Sequence, residues 1–91
     1  FMLDIQAIVA LKELTKFPII SDPSHASFWA PWVKPLALAS VAAGCDGLII
    51  EMHPEPKKSA VDPLQPLNFK EFKDTIHSIK NTARLFKKKL I

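Results

Sequence analysis

The sequence predicts an α/β fold built on two parallel strands, and three features of its pattern support this class. Two short apolar runs, 17–20 and 47–50, are each followed by polar residues, as expected of strands that are covered on both faces. The segment between them is long enough for a helix, and a strand-helix-strand unit places its two strands in parallel. Helical periodicity precedes the first run and follows the second, so the expected order is α-β-α-β-α.

The first predicted helix begins at Asp4, whose side chain suits an N-cap, and the apolar residues Ile5 and Ile8 mark one face. Pro18 is expected to stop this helix, because proline lacks the N–H group that a helix interior needs. The first strand is predicted over 17–21.

The stretch that follows the first strand is predicted to be an irregular connection. Asp22-Pro23-Ser24 is typical of a turn, and 26–34 is expected to continue as a loop. Three aromatic residues lie close together in this loop, Phe28, Trp29 and Trp32. They are expected to pack over a strand end or at an interface, and the alternative is that they line a binding pocket.

The second helix is predicted to begin near Pro35, a good first-turn residue, and to end at Gly44, a typical C-terminal cap. The second strand is predicted over 48–51. The polar loop after it, 52–66, holds four prolines, and loops of this length without secondary structure are often functional.

The last helix is predicted to begin at Asn68, and Glu71 completes a capping-box pattern with it. Its apolar residues alternate in steps of three and four, at Phe69, Phe72, Ile76, Ile79, Ala83, Phe86 and Leu90. This spacing fits a coiled-coil seam, but it also fits a helix that packs on a sheet. The two strands that precede the helix favour packing on a sheet.

The composition indicates a chain that needs a partner. Its 91 residues suit one small domain at most, yet 48% of them are hydrophobic, and a single cysteine allows no internal disulfide. We therefore expect the chain to bury surface against another subunit or the remainder of a larger domain. The lone Cys45 in an apolar stretch fits a reducing compartment, and the predicted location is the cytoplasm.

Two other classes of partner, nucleic acid and membrane, are not expected. The net charge is +3, and basic residues crowd the C-terminal end at Lys80, Arg84, Lys87, Lys88 and Lys89. Without interleaved aromatic residues, this cluster is more typical of a solvated helix end than of nucleic-acid contact. No secretory signal is expected, and no apolar run reaches the roughly 20 residues that a membrane span needs.

Polar side chains with metal-binding chemistry follow both predicted strands. His25 comes after the first strand and Glu51 ends the second, and the carboxyl ends of parallel strands form the edge where α/β folds bind ligands. Asp62 lies in the loop that follows. One imidazole and two carboxylates suit a divalent Mn, Fe, Co or Zn ion. The alternatives are a hydrogen-bonded structural histidine at position 25 and a plain loop acid at position 62.

The remaining reactive residues are weaker candidates. His53 is expected to be structural rather than a support for a metal ligand. Cys45 precedes the second strand, at the end opposite to His25 and Glu51, and is a poor candidate for a nucleophile. With only two glycines in the chain, no phosphate-binding loop is expected.

Several segments together resemble the C-terminal part of 3-deoxy-7-phosphoheptulonate (DAHP) synthase. They are Asp22-Pro23-Ser24-His25, the stretch 42–56 (AAGCDGLIIEMHPEP), Asp62 and Gln65. The resemblance implies that residues 1–91 are the C-terminal part of a single (β/α)8 barrel domain, approximately strands seven and eight with helices six to eight. It also implies a homo-oligomeric, metal-dependent enzyme that condenses phosphoenolpyruvate with erythrose 4-phosphate in aromatic amino-acid biosynthesis, the shikimate pathway.

The same resemblance implies roles for individual residues. His25, Glu51 and Asp62 would be metal ligands, and His25 and Glu51 would be essential for catalysis. The family's fourth ligand is a cysteine on the first barrel strand, which has no counterpart in this chain, so the chain alone is expected to be inactive. Two departures are visible: no basic residue follows His25 before Lys34, and Asp62 lacks the serine and glycine that commonly flank it.

Two alternatives stand beside this interpretation. The related 3-deoxy-octulosonate 8-phosphate synthase uses arabinose 5-phosphate and shares the metal ligands, although the Asp-Pro-Ser-His form favours the heptulosonate enzyme. The other alternative is a non-catalytic module that binds a partner through the heptad-like last helix and the aromatic residues.

Overall fold

The computed structural model describes residues 2–27, 29–55 and 66–91, which form four helices and two strands. In chain order the elements are α1 (Ile5–Leu14), β1 (Ile20–Ser21), α2 (Pro23–Ser27), α3 (Ala30–Ala43), β2 (Gly47–Leu48) and α4 (Phe69–Leu85). The predicted α/β class with two parallel strands is confirmed. The short helix α2 is an addition that the sequence pattern did not predict.

The two strands pair in parallel, with Ile20 opposite Gly47 and Ser21 opposite Leu48. Both are shorter than the predicted 17–21 and 48–51. At the amino end, Pro18 has no N–H to donate to a ladder. At the carboxyl end, the Glu51 N–H donates to a side chain of α2 instead of to β1.

Helix α1 begins as predicted, because Asp4 Oδ1 accepts a hydrogen bond from the Ala7 N–H at 2.9 Å. The helix ends at Leu14, before the predicted stop at Pro18, since Thr15 already adopts an extended conformation. The proline therefore lies in the approach to β1 and does not itself end the helix.

The predicted loop over 26–34 is wrong. Pro23–Ser27 forms α2, and α3 already begins at Ala30. Pro31 lies in the first turn of α3, where its missing N–H removes no helical hydrogen bond. The predicted start near Pro35 is wrong as well, because Pro35 lies inside α3, where it forfeits one internal hydrogen bond without ending the helix.

Two predicted helix ends are confirmed. Gly44 ends α3 with a left-handed φ of 104°, a conformation that glycine adopts without steric cost. Asn68 begins α4, where its Oδ1 accepts the Glu71 N–H at 2.7 Å and its own N–H donates to Glu71 Oε1 at 2.9 Å. This reciprocal pair is the capping box that the sequence predicted.

Helix α4 packs against α3 through the middle of its apolar stripe. Ile79 and Ala83 are buried there, whereas Phe69 is 63% exposed and Phe86 lies beyond the last helical residue. The buried core cluster consists of Ile8, Ala37, Val41, Cys45, Ile79 and Ala83. The stripe thus serves packing within this chain, as preferred over a coiled-coil seam.

Large apolar side chains remain exposed around the strands and at the start of α3. Ile20 is 46% exposed and Ile49 is 51% exposed, and Trp29 and Trp32 are exposed as well. Phe28 lies outside the described residues. A two-stranded sheet is marginally stable alone, which supports the expectation that other protein covers these side chains. Within the described ranges, no helix has the length and apolar character to cross a membrane.

The amino end of β2 is held by the carboxylate of Asp46. Lys88 Nζ donates to it at 2.8 Å, the Ile19 N–H at 2.8 Å and Lys12 Nζ at 2.9 Å. These hydrogen bonds, that of Lys88 first, hold the pKa of the Asp46 carboxyl well below its usual range. One carboxylate therefore ties α1, the approach to β1 and the segment after α4 to the start of β2. Lys88, a member of the C-terminal basic cluster, has an internal structural role.

Candidate metal centre

His25 lies in α2, shortly after β1, and Asp22 fixes its place. One carboxylate oxygen of Asp22, Oδ1, accepts the backbone N–H of His25 at 3.0 Å, and the other, Oδ2, lies 2.6 Å from the ring atom Nδ1. The first contact is that of a helix cap, and the second orients the imidazole. Asp22 therefore starts the short helix and aims the side chain that the helix carries.

Glu51 follows β2, and its main chain is bound on both sides. Its N–H donates to Ser24 Oγ at 3.0 Å, and its carbonyl accepts the Leu67 N–H at 3.0 Å. Ser24 is completely buried, and Leu67 is buried just before α4. The backbone of Glu51 is thus held between α2 and the approach to α4, outside the β1–β2 ladder.

The side chains of His25 and Glu51 meet, with 2.6 Å between Nε2 and Oε1. Because Nδ1 also faces a carboxylate, the imidazole bridges Asp22 and Glu51, and two negative neighbours favour its protonated form. The pKa of His25 is accordingly raised, chiefly by the hydrogen bond and the charge of Asp22 and less by Glu51. The structure therefore brings the two residues together at the carboxyl ends of adjacent parallel strands.

The second carboxylate oxygen of Glu51, Oε2, is buried and has no hydrogen-bond partner among the described residues. A buried carboxylate oxygen without a donor or cation is unfavourable, so such an atom calls for an explanation. Imidazole nitrogen and carboxylate oxygen are donors that divalent transition metals accept. The pair His25 and Glu51 fits one side of a metal centre.

Asp62, the third residue predicted as a ligand, lies outside the described residues, and its place relative to His25 and Glu51 stays a prediction. In the part of the chain that the structure describes, no group of three or more histidine, cysteine, aspartate or glutamate side chains is arranged to hold a metal ion. The described chain thus brings together two of the three predicted ligands.

The other reactive residues take structural positions. His53 Nδ1 accepts the Glu55 N–H at 3.0 Å, in agreement with the structural role predicted for this histidine. Cys45 is fully buried in the core, and burial raises the pKa of its thiol. A buried thiol with a raised pKa is a poor nucleophile, as expected from its place before β2.

Asp22 and Ser24 contact the site residues, but the sequence pattern singled out neither as functional. A signal for Asp22 was present, because aspartate followed by proline is a common helix start. The same residues also fit a turn, and a turn at this point does not predict the cap or the contact to His25. Ser24 acts on a residue 27 positions further along the chain, and no local pattern reports such a bond.

Comparison with known proteins finds relatives of nearly the whole chain. Residues 1–88 match the model of the DAHP synthetase I family. The phospho-2-dehydro-3-deoxyheptonate aldolase of Thermotoga maritima is 40% identical over 81 residues, which is 89% of this chain and 24% of that protein. A 2-dehydro-3-deoxyphosphooctonate aldolase of Legionella pneumophila is 29% identical over 97 residues, 93% of this chain and 35% of that protein.

Solved structures give the same result. A crystal structure of the Thermotoga maritima phospho-2-dehydro-3-deoxyheptonate aldolase (DAHP synthase) matches with a TM-score of 0.94 at 37% identity, over 99% of this chain and 26% of that chain. A truncated 3-deoxy-D-arabino-heptulosonate 7-phosphate synthase from the same organism gives 0.92 at 36% identity, over 97% and 34%. The chain spans between 24% and 35% of the length of these relatives. The likeness confirms the predicted fold class, an α/β section of a (β/α)8 barrel with two parallel strands.

Proposed function

The chain belongs to the DAHP synthetase I family, and we propose that it forms part of an enzyme that condenses phosphoenolpyruvate with erythrose 4-phosphate. The observation that carries the proposal is the meeting of His25 and Glu51 at the carboxyl ends of two adjacent parallel strands. Barrel enzymes place their active sites at this end of the strands. The proposed reaction belongs to aromatic amino-acid biosynthesis, and the proposed location is the cytoplasm.

The proposed cofactor is a divalent Mn, Fe, Co or Zn ion held by His25 and Glu51, with Asp62 as a further ligand from the loop. The buried Oε2 of Glu51, which has no hydrogen-bond partner among the described residues, and the mixture of nitrogen and oxygen donors support this fit. Bound there, the ion would supply a Lewis acid that polarises the aldehyde of the sugar phosphate or a water. Cys45 is buried near the amino end of β2, opposite to the end that His25 and Glu51 occupy, and is not a candidate ligand.

In this proposal, His25 and Glu51 bind and orient the cation. Asp22 faces Nδ1 of His25, so Nε2 is the ring atom that remains for the cation. The 2.6 Å between Nε2 and Oε1 is a hydrogen-bond distance, so these two atoms share a proton. A cation would therefore replace that shared proton.

The chain by itself is proposed to be inactive. We assign residues 1–91 to strands seven and eight of the barrel with helices six to eight. The remainder of the barrel, or another subunit of a homo-oligomer, would cover exposed side chains such as Ile20 and Ile49. It would also supply most of the groups that bind the substrate phosphates.

The alternative substrate is arabinose 5-phosphate, as used by an octulosonate-phosphate synthase. The phosphooctonate aldolase of Legionella pneumophila matches at 29% identity, against 40% for the phosphoheptonate aldolase of Thermotoga maritima. The heptulosonate reaction is therefore the preferred proposal, and an interaction module without catalysis is not favoured.

The test is a turnover assay on the complete gene product that carries residues 1–91, supplied with Mn²⁺. Phosphoenolpyruvate is expected to be consumed with erythrose 4-phosphate and not with arabinose 5-phosphate. His25→Ala and Glu51→Ala should each abolish metal-dependent turnover and lower the bound metal found by elemental analysis, with an unchanged far-UV circular dichroism spectrum. Asp62→Asn should weaken metal binding less.

The matched control is His77→Ala, because His77 is exposed on α4 and contacts Asn81. This variant should keep full turnover and full metal content. Turnover with arabinose 5-phosphate alone would favour the alternative substrate. Absence of metal-dependent turnover with either sugar phosphate, together with unchanged metal content in His25→Ala, would refute the proposal.

A further inference from the structure

Two side chains beside the proposed metal ligands, Asp22 and Ser24, are each bonded to one of them. Both belong to the segment 22–25, which comprises the residue before α2 and the first three residues of α2 and which we call the Asp22–His25 turn. Asp22 is hydrogen-bonded to His25, and Ser24 is hydrogen-bonded to Glu51, as described above. The turn therefore reaches His25 and Glu51 with different side chains.

The orientation of His25 depends on Asp22, because burial does little to hold the ring. The His25 side chain is 54% exposed, so its surroundings alone would leave several rotamers open. Asp22 restrains it through two contacts. Its Oδ1 accepts the His25 backbone N–H at 3.0 Å, and its Oδ2 lies 2.6 Å from the ring atom Nδ1. A carboxylate on Nδ1 fixes the orientation of the ring, so that Nε2 faces Glu51.

The N–H side of the Glu51 main chain is held by Ser24, because the strand ladder does not extend that far, while Leu67 binds its carbonyl. The last ladder bond of this strand runs from the Ile49 N–H to the Ser21 carbonyl at 2.8 Å. Beyond it, the Glu51 N–H has the hydroxyl of Ser24 as its acceptor at 3.0 Å. Since Ser24 is 0% exposed, this acceptor is fixed in position and no water competes for it.

Building on the metal centre proposed above, we propose that Asp22 and Ser24 are positioning residues for that centre. Asp22 presets the ring of His25 with Nε2 facing Glu51. Ser24 sets the main chain of Glu51 so that its carboxylate meets that nitrogen. The Asp22–His25 turn thereby couples the ends of two strands, and one short segment determines the separation of both donors.

The test measures binding of Co²⁺ alone to the metal-free complete gene product, without substrates. The dissociation constant comes from calorimetry, and the visible absorption of bound Co²⁺ reports the geometry of its ligands. Asp22→Ala and Ser24→Ala are each expected to weaken Co²⁺ binding about 10–100-fold, the usual effect of losing a group that orients a metal ligand. Both should also change the Co²⁺ spectrum, and Asp22→Asn, which keeps one acceptor oxygen, should lie between wild type and Asp22→Ala.

The matched control is Ser27→Ala in the same short helix, because among the described residues the Ser27 hydroxyl bonds to Trp29 and to neither His25 nor Glu51. It should bind Co²⁺ as wild type does, with the same spectrum. Asp22 is partly exposed, so Asp22→Ala tests the proposal even if Ser24→Ala fails to fold.

The failure of this inference can be told apart from the failure of the metal centre. If His25→Ala loses Co²⁺ binding while Asp22→Ala and Ser24→Ala match Ser27→Ala in affinity and spectrum, the positioning role is refuted and the metal centre stands. If His25→Ala binds Co²⁺ as tightly as wild type, both are refuted.

Discussion

The carboxylate of Asp46 offers the sharpest stability prediction, because one side chain joins parts of the chain that are distant in sequence. Its donors come from α1, from the approach to β1 and from the segment after α4, over separations of 34, 27 and 42 residues. Asp46→Asn keeps the shape of the side chain but removes its charge and replaces one acceptor oxygen with an amide donor. In either orientation the NH2 group of the asparagine would face at least one lysine ammonium, and two hydrogen-bond donors cannot bond to each other.

The expected loss follows from what the contacts contribute. A hydrogen bond to a charged group contributes about 1.5–3 kcal/mol, and breaking a buried ion pair from one side costs about 3–5 kcal/mol. The ion pairs of Asp46 are only partly shielded from water, since the side chains of Asp46, Lys12 and Lys88 are 17%, 32% and 21% exposed. Discounted for solvent screening, Asp46→Asn should lower the free energy of unfolding by roughly 2–4 kcal/mol.

The assay is urea unfolding of the complete gene product, followed by far-UV circular dichroism. The matched control is Asp74→Asn, which removes the pair between Asp74 and Lys34 at a similar distance, 2.8 Å, but with exposures of 62% and 41%. This control should leave the midpoint of unfolding nearly unchanged, because exposed ion pairs contribute little. Equal losses for Asp46→Asn and Asp74→Asn would refute the argument that partial burial and multiple donors give Asp46 its effect.

Further predictions concern acid, helix α4 and association. The pKa of Asp46 lies below its ordinary value of 3.8 in the folded chain, so its contribution to stability is complete above that value and is lost as pH falls. The difference in free energy of unfolding between wild type and Asp46→Asn should therefore shrink in acid. A difference that stays constant with pH would contradict this. Asn68→Ala should cost about 1 kcal/mol through the lost cap, measured by urea unfolding. Ile79→Ala should cost about 2–5 kcal/mol, whereas Phe69→Ala, at an exposed position, should be nearly neutral, and equal effects would refute the packing of α4. The 91-residue chain alone should associate through its exposed apolar side chains, and a sharp, concentration-independent melt of a monomer would contradict this.

The sequence predicted helix ends well where the partners in a cap lie within a few residues of each other. Local chemistry correctly predicts that Asp4 and Asn68 cap the starts of their helices and that Gly44 caps the end of α3. The start of α3 was predicted wrongly because both Pro31 and Pro35 tolerate the first turn of a helix, and local preference does not choose between them. Burial explains the earlier start. Val33, which lies in the predicted loop, is 0% exposed, and a helix that begins at Ala30 places this side chain in the interior.

The meeting of His25 and Glu51 could be predicted because it follows from topology. Two parallel strands joined by a helix present their carboxyl ends at one edge, whatever the details of the connection. The bond from Glu51 to Ser24 could not be predicted, since it joins residues 27 positions apart and depends on where the ladder stops and on the formation of α2. The lengths of the strands likewise depend on neighbours across the sheet, which local propensity does not report.

The segment 46–51 carries a carboxylate at each end, and the surroundings of the two determine what each can do. Asp46 is saturated, because two ammonium groups and a backbone N–H surround its oxygens. Glu51 has one oxygen beside His25, while the other is buried without a partner among the described residues. A carboxylate whose acceptors are already filled stabilises the fold and has little left to offer a ligand, whereas one with an unfilled, buried acceptor favours a cation. The incompletely satisfied carboxylate at the end of a strand is therefore the group that a cation would bind, and the hydrogen bond from the Glu51 N–H to Ser24 helps to hold it in place.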